Sequence, residues 1–251
     1  MDKQQALYNY YLRIGDSCLI MGQRLAEWCS NGPTLEEDLA LTNISLDLFG
    51  QAESYYVEAL KLQPTYSDAD HLAFRRNEQE YFNYLICEQE NGDFAQTMVK
   101  IYLFSSYMLK LQNALKGVDE MVMASLADRA AKELSYHQRH SADWLKRMSF
   151  GTEESNTRVK NGLSHMWRFT DDLCSRNATD NTLGELFAID FDEMTKNWKD
   201  EVVAYLASIE LPIPEHCVQI TGGIDGQHTE KLGHLLCEMQ YLQRAYPDAK
   251  W

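Results

Sequence analysis

Proline is scarce in this 251-residue chain, with five in all, at 33, 64, 212, 214 and 247. Proline breaks helix interiors, so the long intervals between these positions leave room for unbroken helices. Positive charge is also short. There are 23 Lys and Arg against 38 Asp and Glu, a formal net charge of −15. That balance argues against a nucleic-acid binder and against docking on an anionic membrane, since both need a basic footprint. No apolar run approaches the roughly 20 residues of a membrane span. Met1-Asp2-Lys3-Gln4-Gln5 lacks the apolar stretch of a secretory signal. The six cysteines, at 18, 29, 87, 174, 217 and 237, contain no C-x-x-C pair. They read as buried free thiols of a reducing compartment. There is no internal repeat, no low-complexity tract and no strand pattern. The composition, 45% hydrophobic, excludes a disordered chain, and the expectation is an all-α cytoplasmic protein.

What is present is helical periodicity nearly end to end. A first helix over about 3–30 places Leu7, Tyr11, Ile14, Cys18, Met21, Leu25 and Trp28 on one stripe. Leu12, Leu19 and Ala26 lie on another face, so this helix is expected to be covered on two sides. Asn31-Gly32-Pro33 ends it, and Thr34 with Glu37 forms a capping-box pattern for a second helix, about 35–62. That helix has Leu39, Leu46, Phe49 and Tyr56 on one flank and Leu41, Ile44, Leu48 and Tyr55 on the other. Asn43, Asp47, Gly50, Gln51 and Ser54 form a polar stripe between them. After a connector at 64–67, the pattern predicts one helix across 72–90, a turn at Asn91-Gly92, and a third bundle helix over about 93–116.

Gly117 stops that helix, and Asp119 is placed to cap the next, 119–151, whose buried face carries Met123, Leu126, Ala130, Leu134, His137, Ser141, Trp144 and Met148. Helices of about 24–30 residues are roughly 36–45 Å long, which suits an up-down four-helix bundle. Further helices are expected near 156–175, 191–210 and 228–245, with a polar linker at 175–182. The whole reads as one domain, a bundle over about 3–150 with a helical extension over about 155–251.

Glu133 and His137 stand four residues apart mid-helix and so share a face. Together they resemble half of a carboxylate-bridged di-metal site, for which a bundle supplies an acid from each of two helices and E-x-x-H from each of the other two. Tested position by position, the set is degenerate. The first helix offers Asp16 and, near its end, Glu27. The second offers Asp47 with Gly50 where a histidine should stand. The third has no inward acid, only Lys100, Tyr102 and Ser105. The fourth has Glu133 with Tyr136 and a displaced His137. Two divalent ions bring about four positive charges, which three acids cannot neutralise. The expectation is a polar cluster in place of metal, with no catalytic, cofactor or metal residue in this chain, and with Lys100 paired internally to Asp47 or Glu133.

Other candidates are weaker. His228, Glu230 and His234 lack zinc spacing, and read as a helix start capped by Thr229 with an ordinary Glu230–His234 pair. The 222–226 loop could face a phosphate, but no G-K-[ST] follows, so a tight turn is the better reading. Serines near histidines (Ser135, Ser141, Ser164) have no nucleophile-elbow context.

Several long segments carry a family resemblance: Leu25 to Cys29, Asp38 to Ile44, Leu46 to Ala52, Glu88 to Ala95, Lys132-Glu133 with Tyr136-His137, Leu163 to Phe169, and His228 through Arg244. Together they resemble the C-subunit family of phenylacetyl-CoA epoxidases over essentially the whole chain. Glu90 departs from the family's usual proline. The resemblance implies a ferritin-like bundle without its own di-iron centre, acting as a structural subunit in phenylacetate catabolism. It further implies a related catalytic A subunit holding di-iron and a reductase subunit holding flavin and an iron–sulfur cluster. A homodimer is expected when the chain is alone, and the second apolar face of the first helix would meet a partner bundle. Two rival readings are a di-iron oxygenase or oxidase active in its own right through Asp16, Asp47, Glu133 and His137, and a homo-oligomeric scaffold.

Overall fold

The computed structural model describes residues 1–64, 66–247 and 249, and among these there is no strand. Position 65 of the predicted 64–67 connector lies outside the described residues. The bundle consists of α1 (Lys3–Ala26) and α2 (Leu35–Leu62), then, after a long connection holding α3 (Ala69–Phe74) and α4 (Leu85–Glu88), α5 (Phe94–Leu115) and α6 (Met121–Ser149). These four match the predicted bundle helices to within a few residues. Thr34 caps α2 through Glu37 N, and Asp93 caps α5 through Gln96 N. Asp119 does not cap α6; Glu120 holds that position and makes no side-chain cap bond.

Register fixes the topology. Along α2, Glu37, Asp47 and Gln51 meet His140, His137 and Glu133 of α6 in turn. One index rises while the other falls, so α2 and α6 are antiparallel. Helices α5 and α6, joined by a short loop, pack closely, so α5 runs parallel to α2. One long crossover between the second and third bundle helices is the ferritin-like arrangement.

That crossover departs from the sequence expectation. One helix was expected across 72–90, yet only α3, the 3-10 turn Glu78–Glu80 and α4 are helical. Between them Tyr81 and Tyr84 are extended. The backbone amides are taken by distant side chains instead: Phe82 N by Asp16, Tyr84 N by Ser17 and Leu85 N by Asp172. Tertiary acceptors replace the i−4 carbonyls there.

The C-terminal half wraps the bundle. It comprises α7 (Glu153–Met166), α8 (Thr170–Leu173), α9 (Ala178–Phe187), α10 (Phe191–Ser208), α11 (Glu230–Met239) and α12 (Tyr241–Ala245). The expected 156–175 helix is interrupted by a 3-10 turn at Trp167–Phe169. The expected linker at 175–182 is shorter, because Asn177 and Asp180 form a capping box that starts α9. The last helix breaks at Gln240, whose amide donates to Arg76 O and Tyr81 Oη.

This wrapping overturns one expectation. The second face of α1 was assigned to a partner, but its Leu12 and Leu19 are buried within the chain itself. Leu19 sits beside Phe49 and Ala52 of α2 and Ala73 and Phe74 of α3, and α9 and α4 also pack on α1. Arg13 of α1 pairs with Asp180 at 2.6 Å inside the core, and Ile14, Cys18, Ile20, Met21 and Leu25 are wholly enclosed. Helix α1 is the central rod. Helix α2 leaves Leu35, Leu39, Leu46 and Val57 exposed, two of them, Leu39 and Leu46, on the flank that also carries Phe49 and the buried Tyr56.

Close approach of α1 and α2 depends on Gly15. A Cβ there would lie 2.6 Å from the Tyr56 ring, and that ring is held in place by its hydroxyl on Asp16. Gly15→Ala is therefore expected to lower stability by about 1–3 kcal/mol through overpacking. A chemical denaturation curve with an unmoved midpoint would contradict this.

Candidate functional site

Within the bundle, helices α1, α2, α5 and α6 all turn polar side chains inward. The Cys18 thiol faces Gln51 Oε1 at 3.6 Å, and Gln51 Nε2 donates to Glu133 Oε2 at 2.7 Å. Beside them Tyr55 donates to Gln112 Oε1 at 2.9 Å, which leaves Gln112 Nε2 a buried donor without a partner. Burial, with Glu133 nearby, raises the Cys18 thiol far above its ordinary value, so it is a neutral thiol. Tyr55 is likewise raised by burial.

Further rungs continue along the α2–α6 seam. His137 Nε2 meets Asp47 Oδ2 at 3.0 Å, with His137 buried and Asp47 half-exposed. His140 Nε2 lies 3.1 Å from Glu37 Oε2, and neither atom makes a hydrogen bond. Burial pulls the His140 imidazole below its ordinary value, against the pull of Glu37. Tyr136 is 41% exposed and stacks on His140 with ring centres 5.8 Å apart, so it faces away from the interior. At Gly50 a Cβ would meet nothing closer than Arg129 at 3.6 Å.

Two of the six predicted positions, Asp47 and His137, are brought into direct contact, and Glu133 sits within the same seam. Asp16 is elsewhere. It is wholly buried and clamped by both terminal nitrogens of Arg76, the Tyr56 hydroxyl and the Phe82 amide. Lys100 is buried as expected but pairs with neither Asp47 nor Glu133. Its amine donates to Gln89 O at 2.9 Å and Asn91 Oδ1 at 2.8 Å. Burial, then the Arg24 charge, push it down to about 7, against the pull of Glu27. In the sequence, Gln51, Gln112 and Cys18 stand out only as helix positions. Their meeting is a tertiary fact, and the sole signal was an inward stripe unusually rich in polar residues.

A second polar centre joins the crossover to the C-terminal helices, and the sequence concealed it. Glu88, fully buried, accepts from Asn83 Nδ2, Thr229 N and Thr229 Oγ1, and pairs with His228 Nδ1 at 2.9 Å. Thr229 thus spends its hydroxyl on Glu88 and makes no cap bond of its own. The expected Glu230–His234 pair is replaced by Glu230–Lys231 at 3.5 Å. The 222–226 loop is a tight turn, with φ of 127° at Gly222 and 75° at Gly226. The amides of Gly222 and Gly223 point at the Asp172 carboxylate rather than a phosphate. Burial pushes Asp172 up to about 6, against those amide bonds. Glu90 is exposed and pairs with Lys231 at 3.0 Å. The turn it precedes closes at Gly92, where φ is 61°.

Of the cysteines only Cys18 and Cys87 are buried; Cys29 and Cys237 are exposed, and all six are free thiols. No helix among the described residues is long and apolar enough to cross a membrane.

With the cluster in view, the Glu133 carboxylate can be assigned a structural task. Glu133→Ala is expected to lower stability by about 1–2 kcal/mol, because the Gln51 amide loses its acceptor in a partly buried place. The loss stays modest because the Glu133 side chain is 23% exposed and its contact with Arg129 is long, at 3.5 Å. Urea unfolding of the variant checks this, and an unchanged midpoint would contradict it.

Similarity to known proteins spans the same helices. The family model described as "Phenylacetic acid catabolic protein" matches residues 1–251. The chain is 40% identical over 243 residues to the C subunit of the 1,2-phenylacetyl-CoA epoxidase of Escherichia coli (strain K12), covering 96% of this chain and 98% of that relative.

Proposed function

Because this chain belongs to the phenylacetic acid catabolic protein family, we propose that it is the C subunit of a phenylacetyl-CoA epoxidase complex and supports a partner rather than performing the chemistry. The observation that carries this reading is the donor set at mid-bundle. A di-iron centre in such a bundle takes about six ligands, four of them carboxylates. Here the centre holds one carboxylate, Glu133, already engaged by Gln51, beside a neutral thiol and two carboxamides. Among the described residues no three His, Cys, Asp or Glu side chains converge as a metal site would require. Those residues do not fit two metal ions, and no chemical step is assigned to them.

In this reading the di-iron belongs to a related catalytic A subunit that epoxidises the ring of phenylacetyl-CoA with oxygen. Flavin and an iron–sulfur cluster belong to a reductase subunit, and the chain by itself forms a homodimer in the cytoplasm. Leu39 and Leu46 of α2 and Tyr136 of α6, all exposed, supply apolar surface for the partner now that α1 is enclosed. The rival reading, an oxidase in its own right, needs Asp16 beside Glu133. Asp16 is held instead by Arg76 and the crossover.

Co-expression with the candidate catalytic partner, then sizing and metal quantification of each component, tests the proposal. The expected result is a stable complex whose iron follows the partner. Near-stoichiometric iron in the lone chain with oxygen-dependent turnover would overturn it. A chain that ignores the catalytic partner at micromolar concentration would favour a homo-oligomeric scaffold.

A further inference from the structure

Where α1, α5 and the turn after α4 meet, an amine, a carboxamide and a carboxylate are arranged in line. Lys100 is 0% exposed and has no carboxylate on its amine; its acceptors are the Gln89 carbonyl and Asn91 Oδ1. The adjacent cation, Arg24, is already paired with Glu27 Oε1 at 2.8 Å. A full ammonium charge at Lys100 therefore lacks a counter-ion of its own, and burial holds much of the amine neutral near pH 7. A neutral, desolvated amine is a nucleophile.

Asn91 is 8% exposed. Its Oδ1 lies 2.8 Å from Lys100 Nζ, while its Nδ2 donates to Glu27 Oε2 at 3.1 Å and to the Arg24 carbonyl. The carboxamide is thus gripped from both ends, its oxygen by the amine and its nitrogen by a proton acceptor. A neutral hydrogen-bond donor would satisfy the same two oxygens without burying an ionisable group.

We propose that Lys100 and Asn91 condense into an intramolecular isopeptide bond, a covalent self-modification that fastens α5 to the Glu88–Gly92 turn. Lys100 Nζ adds its lone pair to Asn91 Cγ. The Nζ–Cγ bond forms, the Cγ–Nδ2 bond breaks, and Nδ2 leaves as ammonia. The one proton that Nζ must lose is the one Nδ2 must gain, and Glu27, hydrogen-bonded to Nδ2, relays it. The exchange consumes no oxidant, metal or water.

Intact-mass spectrometry of the full chain, freshly purified and after incubation in mildly alkaline buffer, tests this directly. The expected mass is lower than the sequence mass by one ammonia, and proteolysis yields a branched peptide joining residues 91 and 100. Lys100→Arg keeps a buried cation but cannot condense, so it should show the full mass. Glu27→Gln should slow the loss on the order of a hundredfold. Full mass with separate linear peptides in the wild-type chain overturns the proposal. A deficit that survives in Lys100→Arg also overturns it, since Asn91-Gly92 can lose ammonia alone by closing a succinimide. The wild-type peptide map separates a branched product from a succinimide even if a variant fails to fold.

Discussion

Arg76→Met is expected to lower the free energy of unfolding by about 3–5 kcal/mol, because it strands a buried carboxylate. Asp16 is 0% exposed. Arg76 contacts it through both terminal nitrogens and also donates to Leu72 O at 2.7 Å and Glu80 O at 2.8 Å. The guanidinium lies 4.2 Å from the centre of the Tyr81 ring, so its removal costs packing as well as charge. Without it, Asp16 keeps only the Tyr56 hydroxyl and the Phe82 amide. The same carboxylate holds the extended part of the crossover, so the loss should reach beyond α3. Urea unfolding measures it. Pairing the change with Asp16→Leu should return part of the stability, since no charge is then left alone. A single-variant loss below about 1 kcal/mol would mean that Arg76 is dispensable to the crossover.

Glu88→Ala is expected to cost a similar amount, about 3–5 kcal/mol, with a distinctive dependence on pH. His228 faces Glu88 Oε2 with Nδ1, at 2.9 Å, and the Tyr81 carbonyl with Nε2, at 2.8 Å. Both neighbours are acceptors, so the ring donates from both nitrogens and is an imidazolium. Burial on its own lowers the affinity of His228 for its proton, but the hydrogen bond and charge of Glu88 outweigh that and hold it above the ordinary value. A base whose folded-state pKa is raised stabilises the fold fully below its unfolded pKa, about 6.5, and loses that contribution as pH rises through the folded value. The difference in stability between wild type and Glu88→Ala should therefore shrink as pH rises above about 6.5 and through the raised folded value of His228. Taking the difference cancels groups that titrate alike in both chains. Denaturation midpoints across that range provide the check, and a gap that widens with pH would show that His228 is neutral in the fold.

Both expectations concern residues that reveal little in the linear chain. Arg76 and Asp16 lie 60 positions apart, and His228 and Glu88 lie 140 apart. Nothing in the local pattern pairs them. The same reason explains the failed helix across 72–90. Its apolar spacing is compatible with a helix, but Asp16, Ser17 and Asp172 compete for its amides and win. Lys100 shows the limit from the other side: its inward position was legible from helical period, while its acceptors come from a turn whose path depends on α1 and α11. The flank shared by Leu39, Leu46, Phe49 and Tyr56 was legible, but not that its first two residues stay exposed while Tyr56 is buried, because apolar character alone does not say which side of a helix its neighbours occupy.

Helix identity was legible because it is a short-range property. The 3.6-residue period, the Thr34 cap and the breaks at Gly32-Pro33 and Gly92 involve residues within a turn or two of one another. The shortage of mid-bundle acids was legible for the same reason, since ligand spacing along one helix is a local count. Which polar side chains fill that centre, which helix lies innermost, and how Asp16 and Glu88 are neutralised depend on contacts between segments tens of residues apart. Those are chosen by packing and by the need to pair every buried charge, a condition that only the assembled fold imposes.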